Sequence, residues 1–364
     1  MPLSSNKLVI LTAIHQGPYL TVNALEKYIP DHNILYIVEG IAKDIRIKNK
    51  LPYVDVDFIR SNWGSLDQFF LHVNPTAIIR SASENVLANN IEAYCSVSAS
   101  NTGVPLFIVD DFPGNYWPNK NERLDKIFIE HESLVSLYET RGISPNKIRS
   151  LGNPRYQSLG DIDIISKRQQ IRRILNLTDE SAWLWAGAPD AENSFLSLQR
   201  LISKYNDPNA VLLLKAHPRD SLYNDGRYTD IIKQGRIRVM DVSHNYDMLD
   251  LYCASDLVVS QYSSANVEAA HMGIPSVFVL FENLGQKYLS KFKGYSHPTW
   301  CYDNCSFVIN EDKDIHKIMN IALYDQSERN TVTNNFSKMY GLDGRTARNI
   351  VEDMNLKTYT QDHT

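Results

Sequence analysis

The sequence predicts an α/β protein made of two consecutive domains, each built on a parallel sheet. Three observations support this prediction: a length of 364 residues, short apolar runs that alternate with helical patterns, and a loss of that alternation near the middle of the chain. At about 100–200 residues per domain, this length allows two domains. Apolar runs separated by helical patterns are typical of βαβ units, whose parallel strands are buried on both faces.

The first half carries the first set of alternating elements. Helical patterns are expected after the first and third strands, over residues 19–28 and 84–100. The apolar runs predict strands over residues 8–13, 34–38, 76–80, 105–110 and 126–130. The segment Asp55-Val56-Asp57 has an alternating pattern that favours a strand with a polar face, so it is not interpreted as a metal-binding D-x-D motif.

The alternation restarts after a turn at Gly152-Asn153-Pro154. We therefore predict a first domain over residues 1–155, a linker over 156–170, a second domain over 171–330 and a helical tail over 331–364. Helical patterns in the second domain cover residues 194–205, 246–253 and 264–271. Its predicted strands cover residues 182–186, 211–215, 237–240, 257–260 and 276–280.

Composition argues against several functional classes. The formal net charge is −5, whereas duplex-DNA binders usually carry a basic surplus, so no nucleic-acid partner is expected. Neither a signal peptide nor an apolar run long enough to span a membrane is evident, which predicts a cytoplasmic location. A peripheral role at the inner membrane face is compatible with this pattern. Cys301 and Cys305 form a lone C-x3-C without a second ligand pair, so no metal site is predicted.

Ligands of open α/β sheets bind at the carboxyl ends of the strands, so polar residues there are the candidate site residues. The strand over 211–215 ends at Lys215 and is followed by His217 and Pro218. Because Pro218 stiffens the turn, His217 could contact a phosphate or protonate a phosphate leaving group. The alternative is an ordinary loop histidine. Gly187 follows another strand and would let a ligand approach the backbone.

A second candidate lies where the strand over 257–260 leads into a helix. Ser263 and Ser264 stand at the predicted helix start, where free N–H groups and hydroxyls bind anions. Glu268 lies one turn further on and could accept hydrogen bonds from ribose. Gln261 completes the set, although N-terminal helix capping alone would also explain a serine here.

Two consecutive carboxylates, Asp110 and Asp111, end a strand of the first domain. Adjacent like charges raise one pKa, which suits a general base, although aspartates are also common in solvated turns. Asn115 follows in the same turn. His15 and Gln16 come after the first strand and could contact the acceptor. No GxGxxG or P-loop pattern is present, so no cofactor is predicted.

In this order, these motifs resemble GT-B glycosyltransferases, a fold of two Rossmann-like domains facing across a cleft. Bacterial sialyltransferases and related CMP-nonulosonate transferases carry an acidic pair, His-Pro and a serine pair. The corresponding pairs here are Asp110-Asp111, His217-Pro218 and Ser263-Ser264. The departure is that two residues separate the acidic pair from Gly114.

The resemblance implies metal-independent, inverting transfer of a sugar, such as a nonulosonic acid from a CMP donor, to a glycan hydroxyl in bacterial surface polysaccharide synthesis. Asp110 or Asp111 would be the base and His217 would assist the departing phosphate. The nucleotide-sugar would be held by a set of residues that the motifs place in the second domain: Gly187, Lys215, His217, Pro218, Gln261, Ser263, Ser264 and Glu268.

Three other functions remain open at this point. CDP-glycerol-type polyol-phosphate transferases share the His-Pro and Ser-Ser-…-Glu pattern. A UDP-sugar transferase or 2-epimerase would have the same two-domain shape. A catalytically silent nucleotide-sugar-binding subunit would use Ser263, Ser264 and Glu268 but not the acidic pair.

Overall fold

The computed structural model describes residues 8–29, 32–83, 90–119, 122–233 and 237–356. Internal contacts divide the chain into two compact units. The first unit comprises Met1–Gln157 together with Leu342–Thr364, and the second comprises Ser158–Gly341. Each unit contains one six-stranded sheet.

The first unit contains a fully parallel sheet with the order β2-β1-β3-β4-β5-β6. The chain moves outward from β1 to β2 and then crosses to β3 on the other side, so β1 and β3 flank the point where the strand order reverses. The strands are β1 Leu8–Ala13, β2 Asn33–Val38, β3 Ala77–Ser81, β4 Leu106–Val109, β5 Lys126–Ile129 and β6 Ile148–Ser150.

Helices cover both faces of this sheet. One face packs Ile78 and Ile108 against α4 and α5, and the other packs Ile79 and Phe107 against α1 and the C-terminal helix α16. The helices are α1 Gln16–Asn23, α2 Gly40–Lys48, α3 Val56–Trp63, α4 Leu66–Val73, α5 Ile91–Thr102, α6 Val135–Thr140 and α16 Thr346–Met354.

The second unit repeats this plan with the order β12-β11-β10-β7-β8-β9, again fully parallel. The chain runs outward from β7 through β9 and then returns to β10, so β7 and β10 flank the reversal point. The strands are β7 Ser181–Ala186, β8 Ala210–Lys215, β9 Arg238–Asp241, β10 Leu257–Ser260, β11 Ser276–Val279 and β12 Phe307–Ile309.

The two faces of the second sheet also carry separate cores. Trp183 and Trp185 pack towards α8 and α14, whereas Leu184 and Val258 pack towards α7, α11 and α12. The helices of this unit are α7 Ile164–Ile174, α8 Ala191–Lys204, α9 Ser221–Asn224, α10 Tyr228–Lys233, α11 Met248–Ala254, α12 Ser264–His271, α13 Lys287–Phe292, α14 Ile315–Tyr324 and α15 Gln326–Tyr340.

The observed units differ from the predicted boundaries at two places. Residues 158–170 of the predicted linker belong to the second unit, because Arg168 on α7 bonds to Asp256 at 2.6 Å. The predicted tail is divided, since α15 belongs to the second unit and α16 to the first. There, Lys126 forms an ion pair with Asp353 at 2.8 Å.

One predicted element of the first unit is wrong, and another is confirmed over part of its length. The strand expected at Asp55-Val56-Asp57 is instead the start of α3. Asp55 caps this helix by accepting a hydrogen bond from the N–H of Asp57 at 2.8 Å, and it pairs with Lys43, so capping outweighs the alternating pattern. Within the predicted helix over 84–100, α5 begins at Ile91, and residues 84–89 lie outside the described part of the chain.

No helix in the described residues has the length and apolarity needed to cross a membrane.

Candidate functional site

The carboxyl ends of β7 and β8 come together very closely at Gly187. A Cβ atom placed on this glycine would lie 2.6 Å from the backbone nitrogen of His217 and 3.2 Å from the carbonyl carbon of Ala216. No larger residue fits without moving that backbone. From the sequence, Gly187 was expected to leave space for a ligand. In the structure, the space beside its Cα is occupied by the backbone of His217.

The turn after β8 fixes both the position and the tautomer of His217. Its Nδ1 accepts a hydrogen bond from the N–H of Arg219 at 3.1 Å, and its carbonyl accepts from the N–H of Asp220 at 2.8 Å. With Nδ1 serving as an acceptor, the neutral imidazole carries its proton on Nε2. The half-buried ring therefore presents an N–H donor, which suits contact with a phosphate oxygen. Pro218 is exposed on the same turn.

Lys215 is engaged within the protein. Its Nζ donates to the carbonyl oxygens of Ser243 and Tyr246, both at 2.8 Å. Burial lowers the pKa of Lys215, and the carboxylates of Asp247 and Asp241 act in the opposite direction. The ammonium group therefore holds the loop between β9 and α11, next to the carboxyl end of β8.

The serine pair stands where β10 leads into α12. Ser263 caps this helix, because its Oγ accepts from the N–H of Ala265 at 3.2 Å. Its own N–H donates to Ser260 Oγ at 2.9 Å, which closes the turn. Ser264 is the first helical residue, and both members of the pair are half-buried. The start of α12 therefore has two serines that are partly exposed to solvent and the positive end of the helix dipole. This combination favours the binding of anions.

Glu268 and Gln261 have different surroundings. Glu268 lies on α12, one turn after Ser264, and its carboxylate accepts a hydrogen bond from the Tyr252 hydroxyl at 2.7 Å. Gln261 is fully buried, and its Nε2 donates to Ser197 Oγ on α8 at 3.3 Å. Glu268 is therefore placed near the start of α12, whereas the side chain of Gln261 joins β10 to α8.

In the first unit, Asp110 is held by a buried tyrosine. The hydroxyl of Tyr138 donates to Asp110 Oδ2 and accepts from the N–H of Gly114 at 2.9 Å. Burial and the adjacent Asp110 raise the pKa of Tyr138 well above its usual range, so this hydroxyl keeps its proton. Asp110 therefore fixes the turn after β4.

Asp111 takes part in a different cluster. Its Oδ1 accepts from Thr21 Oγ1 at 2.9 Å and from the guanidinium of Arg155 at 2.8 Å. A Cβ on Gly17 would lie only 2.6 Å from Asp111 Oδ2 and 2.7 Å from Arg155 Nη1, so the glycine makes room for this ion pair. Arg155 was not predicted as a site residue. The only sequence feature that could have indicated it is the turn Gly152-Asn153-Pro154, which directly precedes it.

The remaining candidates of the first unit lie around the ends of β1, β3 and β4. His15 is half-buried at the start of α1, and Gln16 beside it is exposed. Asn115 is buried and donates to the carbonyl of Ala82 at 3.2 Å, so it ties the turn after β4 to the end of β3.

A buried carboxylate occupies the reversal point of this first sheet. Glu92 Oε1 accepts from the N–H of Ile14 at 3.2 Å and from Ser83 Oγ at 2.7 Å, and therefore joins the ends of β1 and β3. Burial raises the pKa of Glu92, while Arg80, 3.7 Å away, acts in the opposite direction. The corresponding point of the second sheet is bordered instead by Gly187 and the serine turn.

Comparison with solved structures confirms the predicted fold class. A glycosyltransferase from Rickettsia africae matches with a TM-score of 0.65 at 13% identity, covering 99% of this chain and 100% of that one. The UDP-GlcNAc 2-epimerase of Neisseria meningitidis, bound to UDP-GlcNAc, matches with a TM-score of 0.65 at 13% identity, covering 96% and 99%. The wall teichoic acid polymerase TagF, soaked with CDPG, matches with a TM-score of 0.56 at 13% identity, covering 99% and 90%.

These similarities define a two-domain α/β fold of the GT-B type, shared by transferases and epimerases. A sequence profile of the family described as CDP-Glycerol:Poly(glycerophosphate) glycerophosphotransferase matches residues 132–355. Because the match covers more than half of the chain, the protein belongs to this family and is a transferase, as predicted. None of the curated proteins matches the sequence significantly.

Proposed function

We propose that this protein transfers a polyol phosphate from a cytidine-diphosphate-activated donor to an acceptor hydroxyl, with release of CMP. The observation that carries the proposal is that one unit contains two features whose geometry suits phosphate binding. His217 presents an Nε2–H donor after β8, and Ser263 and Ser264 stand at an accessible helix start after β10. Family membership supplies the class of donor.

The proposed reaction breaks the bond between the bridging oxygen and the phosphorus that carries the polyol. The acceptor oxygen attacks that phosphorus and forms the new phosphodiester, while CMP leaves with the bridging oxygen. His217 donates an Nε2–H hydrogen bond to the leaving phosphate, and the start of α12 also stabilises the negative charge of that phosphate. Glu268 accepts from the ribose hydroxyls.

Of the two adjacent aspartates, we assign the role of base to Asp111. Asp110 has Tyr138 bonded to Oδ2, and that hydroxyl is held in place by Gly114. Asp111 accepts hydrogen bonds from Thr21 and Arg155 at Oδ1. A carboxylate oxygen carries two lone pairs, so Asp111 can accept the proton of an acceptor hydroxyl while it bonds to Thr21 and Arg155.

A second candidate is transfer of a nonulosonic acid from a CMP donor, favoured by the acidic pair that ends β4. The acceptor oxygen would then attack the anomeric carbon, and CMP would leave with the glycosidic oxygen. Both reactions release CMP through the same phosphate-binding residues. They differ in the bond formed, which is a phosphodiester in the first and a glycosidic bond in the second.

The test incubates the protein with CDP-glycerol or a CMP-nonulosonate and a panel of glycan and polyol-phosphate acceptors. CMP release is quantified, and phosphorus NMR identifies a new phosphodiester. We expect CMP and a phosphodiester from CDP-glycerol, and a loss of about 10²- to 10³-fold in kcat for His217→Gln, the range typical of losing one hydrogen-bond donor to the charge that develops in the transition state. His244→Gln, at an exposed histidine of the same unit, is the matched control.

Three outcomes would contradict the proposal. A glycosidic product without a phosphodiester would establish the second candidate. Full activity of His217→Gln would remove the leaving-group role. Tight donor binding without CMP release under any acceptor condition would indicate a nucleotide-binding subunit instead of an enzyme.

A further inference from the structure

One large aromatic side chain of the first unit is exposed close to the acidic turn. Trp117 is 45% exposed, whereas Trp183, Trp185 and Trp300 are buried. The fifth tryptophan, Trp63, is half-buried against Phe69 on α4. Trp117 is therefore the most exposed tryptophan of the protein, and its side chain is not part of a hydrophobic core.

The ring of Trp117 is held from one side by a guanidinium. Arg141 lies with its Cζ 3.9 Å from the ring centroid. The same guanidinium donates from Nη1 to the carbonyl oxygens of Gly114, at 3.0 Å, and Tyr116, at 2.6 Å. These bonds anchor the cation to the backbone on which the tryptophan is carried. The guanidinium of Arg141 thus covers one face of the Trp117 ring, and the rest of the ring is exposed to solvent.

A continuous set of hydrogen bonds connects this ring to the acidic pair. Arg141 binds the carbonyl of Gly114, the N–H of Gly114 binds the hydroxyl of Tyr138, and that hydroxyl binds Asp110. Trp117 therefore has a fixed position relative to the turn that carries the proposed base. A side chain fixed before binding loses little conformational entropy when a ligand covers it.

We propose that Trp117 is an acceptor-binding platform that stacks on the apolar face of a sugar ring, so that the acceptor is a glycan. This inference rests on the proposed function, because it assigns the acceptor class for the hydroxyl that Asp111 would deprotonate. A pyranose ring offers a flat face of C–H groups to an aromatic ring. An open-chain polyol phosphate offers no such face, and its charge favours water.

The first test uses tryptophan fluorescence, which needs no turnover. Methyl β-galactopyranoside, methyl β-glucopyranoside, glycerol 3-phosphate and anionic phospholipid vesicles are each titrated into the protein, and the changes in emission are compared. We expect the glycosides to change the emission of the wild-type protein and of Trp63→Phe, and to leave that of Trp117→Phe unchanged. A response to vesicles or to glycerol 3-phosphate, without one to glycosides, would overturn the glycan assignment.

The second test separates binding from chemistry. For Trp117→Ala we expect the KM for a glycan acceptor to rise about tenfold, as for truncation of a well-packed aromatic contact, and kcat to change far less. Trp117→Phe should recover most of the affinity. A fall in kcat with an unchanged KM would refute an acceptor-binding role. The fluorescence titration requires no donor. If the transfer reaction failed, the titration would therefore still show whether glycosides bind at Trp117.

Discussion

Replacing Gly187 with alanine tests whether the contact between the ends of β7 and β8 positions His217. The added methyl group would lie 2.6 Å from the backbone nitrogen of His217. Non-bonded carbon and nitrogen atoms need about 3.5 Å, so the turn must move by roughly 0.9 Å. A displacement of about 1 Å at a catalytic group lowers rates by about 10²-fold.

The assay measures CMP release and the free energy of unfolding for Gly187→Ala and for Gly160→Ala. Gly160 is the matched control, because its Cβ would meet no atom within 4 Å and the residue lies in the same unit. We expect Gly187→Ala to lose about 10²-fold in kcat and about 1–3 kcal/mol in stability through overpacking. If it retained the kcat and stability of the control, the reasoning from this contact would be refuted.

Three further predictions concern the second unit. Lys215→Met should lower the free energy of unfolding by about 2 kcal/mol in a urea titration, since its charged hydrogen bonds to backbone carbonyls are lost; an unchanged stability would contradict the loop-holding role. Ser263→Ala should cost about 1 kcal/mol of stability by loss of the cap and should also weaken CMP binding in a calorimetric titration; unchanged CMP affinity would exclude the anion site. Burial lowers the pKa of His271 from 6.5 to about 4, so its contribution to stability is present above pH 6.5 and is lost as the pH falls towards 4. His271→Gln should therefore reduce the acid destabilisation at pH 5 by about 2 kcal/mol relative to the exposed control His244→Gln, and equal pH profiles would refute this.

The strands could be predicted from the sequence wherever an apolar run was long enough. The runs over residues 8–13 and 211–215 are largely buried strands that pair with a neighbour on both sides. In contrast, β6 Ile148–Ser150 and β12 Phe307–Ile309 were not predicted, because three residues at the edge of a sheet do not establish a period. At Asp55 the alternating pattern predicted a strand, but the capping hydrogen bond of the Asp55 side chain favours the start of a helix.

The candidate residues could be placed at strand ends, but their partners could not be predicted. The ion pair between Asp111 and Arg155 joins positions 44 residues apart, and no local pattern indicates it. The same is true of the contact between Gly187 and His217, which depends on strand register. The hydrogen bond from Gln261 to Ser197 likewise joins positions 64 residues apart. The sequence thus predicted which strand ends carry the candidate residues, and the tertiary contacts show which partners those residues have.

The most direct test of the central claim is nucleotide binding by the purified protein. Thermal unfolding is measured with CMP, CDP-glycerol, UDP, GDP and ADP for the wild type, His217→Gln and Ser263→Ala. A ligand at about 100 times its Kd stabilises a protein by about 2.7 kcal/mol. We expect CMP and CDP-glycerol to stabilise the wild type, and we expect both substitutions to weaken that stabilisation. Selective stabilisation by UDP, or cytidine binding that neither substitution affects, would contradict it.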